Sequence, residues 1–266
     1  MFALRVVSVL VLIPVLVGLV FLGEPWYTTA VMSFVALGLI EVTALLRSAG
    51  YRPIGPVMIA LGLVFPLDAL GVFGELVPGA LAAGAAIALL LLMSRPSYDR
   101  ALLDWALTLA PPLYIGGLLQ YFVPLRASPD GVFWPLAVLG LSWTCDTAAY
   151  AVGRLAGRTK LAPRLSPTKT REGAMAGIVL TLAMAALVAT LTGRSVLHLI
   201  GFGAVVAVAT VLGDLMESFL KRQCGAKDSG VLIPGHGGVL DRMDSLLLSA
   251  AAAYGYQVLT AWGSHG

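Results

Sequence analysis

Charge is scarce in this chain, and that scarcity excludes most soluble architectures. Only 12% of the 266 residues are charged, 59% are apolar, and the mean hydropathy is +0.91. Soluble domains carry about 25% charged and about 45–50% apolar residues. Cysteine is scarcer still. Cys145 and Cys224 are the two present, too few for a disulfide framework and without metal-ligand spacing around either. No partner cysteine or histidine stands at a usable distance from His236, which argues against zinc, and His198 and His265 read as incidental. Low-complexity segments, charged tails and long internal repeats are also missing, and no nucleic-acid partner is expected.

What is present is a series of long apolar runs. Hydropathy places nine spans at about 5–23, 26–46, 54–73, 78–93, 102–123, 132–153, 173–192, 196–216 and 243–262, near the roughly 20 residues that cross a bilayer as helix. The first, "RVVSVLVLIPVLVGLVFLG", is long for a signal-peptide core and has no small-residue cleavage site, so it reads as a retained span. Pro66 and the pair Pro111–Pro112 fall inside the third and fifth spans, where a bundle tolerates kinks. The expected fold is therefore all-α: a polytopic transmembrane helix bundle forming a single integral membrane domain over residues 1–266. Residues 1–139 are mainly scaffold spans, and residues 140–250 are the catalytic half.

The basic residues orient these spans. One side receives Arg5, Arg47, Arg52, Arg95, Arg100, Arg154, Arg158, Lys160, Arg164, Lys169, Arg171, Lys221, Arg222, Lys227 and Arg242, and the other only Arg126 and Arg194. The positive-inside rule then makes the amino terminus cytoplasmic, together with two polar loops at 154–172 and 217–240. A multi-pass protein of the plasma (inner) membrane is expected, with membrane lipid as its surroundings.

Those two loops hold the polar chemistry. From Asp214 to Asp244 nine charged residues of both signs are crowded together, with a glycine-flanked histidine in "PGHGG". A purely lipid-binding basic patch would not interleave acids with its bases. Asp214, Glu217, Ser218 and Lys221 share a helical stripe, as do Asp241, Asp244 and Ser245, and Asp146 with Tyr150. Converging, these faces make an oxygen-rich site suited to magnesium. Glu41, Asp68 and Asp104 also fall inside spans, and they stay open between an interior site and a hydrogen-bonded role near a span end. Glycines around His236 let backbone amides approach an anion, although the spacing is not that of a Walker loop.

The segment Ser218–Asp244, "SFLKR", "QCGA", "KDSG", "VLIPGHGG", "VLDRMD", resembles the signature of the phosphatidate cytidylyltransferase (CDP-diacylglycerol synthase) family. An upstream block, "CDTAAYAVGRLAGRTKLAPRLSPTKTREG", resembles the same family in its Asp-Thr, Gly-Arg, Lys-Leu and Ser-Pro-x-Lys-Thr elements. Arg171 departs from the tryptophan or apolar residue common there. The two blocks cover residues 145–245; the first half is similar only as a string of spans.

The resemblance implies transfer of CMP from CTP to phosphatidate, yielding CDP-diacylglycerol and pyrophosphate with Mg2+ as cofactor, in one or two ions. Phosphatidate's second pKa of about 6 leaves its phosphate largely deprotonated, so positioning and electrostatics matter more than a general base. The implied metal ligands are Asp214, Asp241 and Asp244, with Asp146 as a further one. Lys221, Arg222, Lys227, Asp228, His236 and Arg242 are the implied catalytic residues. Ser166, Thr168, Lys169, Ser218, Gly237 and Gly238 are the implied substrate-binding ones. The resemblance also raises a homodimer through membrane helices, for which no strong interface motif stands in this sequence. Three rivals use similar residues: a CTP-dependent polyprenol or dolichol kinase, a CDP-archaeol synthase, and an ion-coupled transporter. A compact acid–base cluster on one face favours surface chemistry over an ion path.

Overall fold

The structure is a computed structural model. It describes residues 2–72, 74–230 and 237–263, with side chains described within residues 12–261 of those ranges. The helices are α1 (Phe2–Leu22), α2 (Trp26–Ser48), α3 (Gly55–Asp68), α4 (Leu76–Met93), α5 (Ala101–Leu119), α6 (Phe122–Ala127), α7 (Phe133–Ala156), α8 (Arg171–Thr192), α9 (Val196–Gln223) and α10 (Leu240–Gly263). Each span expected from hydropathy falls on helix, the fifth being divided between α5 and α6. Among the described residues, five segments are long and apolar enough to cross a membrane: α2, α4, Ala101–Ala127, α8 and α9. The third expected span is shorter than hydropathy implied. α3 has 14 residues, about 21 Å of helix at 1.5 Å per residue. The chain after Asp68 turns through Gly71 at φ +69 and Gly74 at φ +75, conformations that glycine adopts without steric cost.

The expectation of an all-α chain is corrected in one place. Between α7 and α8 lies an antiparallel hairpin, β1 (Lys160–Ala162) and β2 (Ser166–Thr170), with Lys160 opposite Thr170 and Ala162 opposite Ser166. Its turn is closed by the Leu165 N–H donating to the Ala162 carbonyl at 3.1 Å. Pro163 occupies the second turn position, where its fixed φ suits a type I or II turn.

The chain divides into two compact units. The first comprises residues 1–129 and 223–242, and the second residues 130–222 and 243–266. In the first, α3 packs against α2, α4 and α5. A Cβ on Gly116 would lie 2.5 Å from the Gly62 carbonyl, so α3 and α5 cross backbone against backbone. Two of the acids that fall within expected spans serve this unit. Asp104 accepts from Arg52 N–H at 2.8 Å and pairs with Arg95 at 3.1 Å, while Asp68 accepts from Leu76 N–H at 2.6 Å. Asp68 thus satisfies a donor at the start of α4, and Asp104 one in the loop between α2 and α3.

In the second unit, α7 and α8 pack closely along most of their length. Gly173 and Gly177 face α7, where a Cβ would meet the Ala149 carbonyl at 2.6 Å and the Cys145 carbonyl at 2.9 Å. A pair of glycines four residues apart is the small-residue spacing by which membrane helices approach closely. Cys145 is buried here. At the other end of this unit, the Arg194 guanidinium lies over the Phe133 ring and pairs with Asp130 at 2.8 Å. His198 is not isolated, as its sequence context suggested. Its ring stands 6.0 Å from Trp134 and 5.2 Å from Tyr256, because α7 and α10 bring aromatic residues from distant positions onto α9.

Candidate active site

Four elements of the second unit build the site. α9 is apolar for most of its length and then turns polar, presenting Asp214, Glu217 and Lys221 along one stripe. α10 brings Asp244 and Ser245, α7 brings Asp146, and β2 brings Lys169. The approach of α9 to α10 depends on Gly213, where a Cβ would stand 2.5 Å from the Asp244 carbonyl oxygen. Any side chain there would push the two helices, and so their carboxylates, apart.

The result is a cluster in which one oxygen each of Asp214, Glu217 and Asp244 lie within 4.8 Å of one another. Lys169 Nζ pairs with Asp214 Oδ2 at 2.5 Å, and Lys221 Nζ with Glu217 Oε2 at 2.7 Å. Glu217 is fully buried, so an opposite charge beside it is a requirement of burial. Asp146 adjoins the cluster through Ser245, whose hydroxyl donates to Asp146 Oδ2 at 3.0 Å while its N–H donates to Asp244 Oδ1 at 2.8 Å. Beneath, hydroxyls tie the three helices together. Thr210 Oγ1 bonds Ser142 Oγ at 3.1 Å and Ser249 Oγ at 3.0 Å, and Ser249 donates to the Ser245 carbonyl at 2.6 Å. Interhelical hydroxyl bonds of this kind fix the register of packed membrane helices.

The hairpin is held over α9 by local bonds. Arg222 Nε donates to the Leu165 carbonyl at 3.2 Å. Thr170 caps α8 by accepting from Gly173 N–H at 3.2 Å, and Glu172 accepts from the Arg158 and Thr159 amides. Ser166 is buried and Thr168 exposed, their hydroxyls 3.5 Å apart; Ser218 is buried on α9.

The donor set fits a hard divalent cation. All three convergent ligands are carboxylates, the class magnesium prefers. With Asp146 close by through Ser245, the acids of this cluster outnumber the ammoniums of Lys169 and Lys221 that pair with them. Glu217 was visible in the sequence as a member of the Asp214 stripe, yet the sequence did not place it among the metal ligands. Its three-residue offset from Asp214 was the available signal.

The first unit holds the other signature residues. Asp241 was expected beside Asp214 and Asp244. Its Oδ2 accepts from Ser229 N–H at 2.9 Å, Ser229 Oγ at 2.9 Å and Gly238 N–H at 2.8 Å. Gly237 takes φ +79, a left-handed turn that admits this closure. Lys227, Asp228 and Arg242 are exposed. His236 lies outside the described residues.

The geometry agrees with the chain's relationships. It matches the cytidylyltransferase family model across residues 3–260. It is 31% identical over 284 aligned positions to a phosphatidate cytidylyltransferase of Synechocystis, covering 96% of each chain. It is 34% identical to phosphatidate cytidylyltransferase 4, chloroplastic, of Arabidopsis thaliana, over 90% of this chain and 69% of the relative. A phosphatidate cytidylyltransferase of Brucella suis is 46% identical across 132 positions, 47% of each chain. Matched across nearly its whole length, with an acid–base cluster able to hold a metal beside phosphate-binding residue types, the chain belongs to the cytidylyltransferase family of nucleotidyltransferases.

Proposed function

We propose that this enzyme transfers CMP from CTP to phosphatidate, at the cytoplasmic face of a plasma (inner) membrane that it crosses nine times. The observation that carries the reading is the cluster of Asp214, Glu217 and Asp244 faced by Lys169 and Lys221. The proposed cofactor is Mg2+ held by those three carboxylates, with Asp146 close by. When bound it supplies charge neutralisation for the reacting phosphates.

The protein's own groups supply the rest. A phosphate oxygen of phosphatidate attacks the α-phosphorus of CTP, and the bond from that phosphorus to the β-phosphate's bridging oxygen breaks, releasing pyrophosphate. No proton need be removed from the attacking oxygen, because a phosphate monoester is largely dianionic at neutral pH. Lys169 and Lys221 are the ammoniums placed to face phosphate oxygens once a cation shares their carboxylates. Arg222, Lys227 and Arg242 add positive charge for the nucleotide. Ser166, Thr168 and Ser218 are hydroxyl partners for the lipid phosphate. The Lys221–Glu217 pair keeps that ammonium at the cluster until a cation takes up the carboxylate, so that it is in reach of phosphate oxygens when they arrive. The fifteen-to-two partition of basic residues supports the cytoplasmic placement.

The test is an isotope partition with purified protein in mixed micelles containing phosphatidate, a polyprenol and Mg2+. With CTP labelled at the α or the γ phosphate, label is expected in lipid from the α position only. Lipid labelled from the γ position alone would make the enzyme a kinase and overturn the reading.

A further inference from the structure

Glu41 belongs to α2, 177 residues before the signature segment begins at Ser218, and no step of the proposed reaction uses it. It is buried, at 5% exposure, inside an apolar helix. Its carboxylate is nevertheless fully occupied. Oε1 accepts from Val239 N–H at 2.8 Å, and Oε2 accepts from Leu240 N–H at 2.8 Å and from Ser229 Oγ at 3.2 Å. The two amides are those at the start of α10, where helix N–H groups lack intrahelical acceptors. A carboxylate there also meets the positive end of the helix dipole.

The neighbouring glycines are shaped to this carboxylate. A Cβ on Gly238 would lie 2.4 Å from Glu41 Oε2 and 2.1 Å from Ser229 Oγ, and one on Gly230 would lie 3.1 Å from Glu41 Oε1. Asp241 completes the arrangement by taking Ser229 N–H and Gly238 N–H. Ser229 Oγ stands between the two acids, 3.2 Å from Glu41 and 2.9 Å from Asp241. Two carboxylates, one from α2 and one from α10, thus hold Ser229 at one point of the signature and Gly238–Leu240 at another. Lys227 and Asp228 immediately precede the first point, and Arg242 immediately follows Asp241.

We propose that Glu41 is a positioning residue for the nucleotide-binding part of the site. It pins the two signature turns by their backbone amides, so that Lys227 and Arg242 are held where CTP phosphates bind. This rests on the cytidylyl-transfer reading given above. It predicts that the scaffold half contributes to nucleotide affinity through one side chain that touches no substrate.

The test compares Glu41→Gln with Thr43→Val, a change to a buried hydroxyl on the same helix that bonds the Leu39 carbonyl and Met58 instead of the signature. Glutamine replaces one acceptor oxygen with an N–H2 that opposes a backbone donor. Glu41→Gln is expected to raise KM for CTP about tenfold with kcat changed less, and to speed amide hydrogen exchange across 237–243. Thr43→Val is expected to leave both unchanged. Should Glu41→Gln fail to fold, Ser229→Ala carries the test, with an expected threefold rise in KM for CTP and faster exchange of the same amides. Unchanged KM and unchanged exchange in the folded variant overturn the proposal, as does an equal rise in KM with Thr43→Val. Failure of the wild type to label lipid from α-labelled CTP would strike the reaction itself and leave the exchange comparison standing.

Discussion

Two groups of buried or half-buried acids serve this enzyme in opposite ways. In the second unit, Asp214 and Glu217 are partnered by lysine ammoniums, and Asp244 stands close to both. In the first unit, Glu41 and Asp241 are partnered by backbone amides and the Ser229 hydroxyl. An ammonium on a flexible stem can leave a carboxylate when a cation arrives. A backbone amide cannot leave without unfolding its turn. The same side-chain chemistry is therefore exchangeable in one place and structural in the other, and the partner makes the difference.

The sharpest way to break that comparison is to remove a charge from the exchangeable cluster. Asp244→Asn is expected to lower kcat by about 100-fold or more, on the scale of losing one preorganised charge-stabilising group. Thermal stability without divalent cation should hold or rise, because crowded like charges are relieved. Near-normal turnover would remove Asp244 from the metal site. The equivalent change in the structural group, Glu41→Gln, should instead loosen the turns it holds, as the exchange measurement above reads directly.

Gly213→Ala attacks the geometry in place of the charge. The new Cβ would meet the Asp244 carbonyl at 2.5 Å, and overpacking of this kind costs about 1–3 kcal/mol. A lowered melting temperature in detergent with a parallel loss of activity is expected. Normal activity would show that α9 and α10 can separate without disturbing the carboxylates. The smallest effect is expected from Thr210→Val beneath the cluster, which removes the hydroxyl between Ser142 and Ser249. Interhelical hydrogen bonds average about 0.6 kcal/mol in a membrane protein, so stability should fall by about 1 kcal/mol with turnover little changed. A large fall in turnover would mean that the hydroxyls do more than set helix register.

Much of this was legible in the chain itself. The stripe Asp214, Glu217, Lys221 follows from helical periodicity, and Lys169 was singled out with the Ser-Pro-x-Lys-Thr element. Asp241 and Asp244 share one helical face by their three-residue spacing, but the Ser229 and Gly238 donors that Asp241 accepts from come from a turn that periodicity does not describe. The role of Glu41 is not legible in the sequence, since an acid in an apolar run looks the same whether it binds a substrate or a helix end. The hairpin is not legible in a hydropathy profile, because two short strands with Pro163 in their turn and Pro167 inside β2 read as loop.

By itself, the sequence determined the solvent, the helices and the class of chemistry. Apolar runs can only be buried in lipid or core, and interleaved acids and bases beside glycines resist any purely lipid-anchoring explanation. Tertiary structure decided which carboxylates converge and which are taken up by amides. That choice depends on contacts such as Gly213 against Asp244 and Glu41 against Leu240. The residues in each pair are far apart along the chain, and one missing Cβ or one freed amide sets the distance between them.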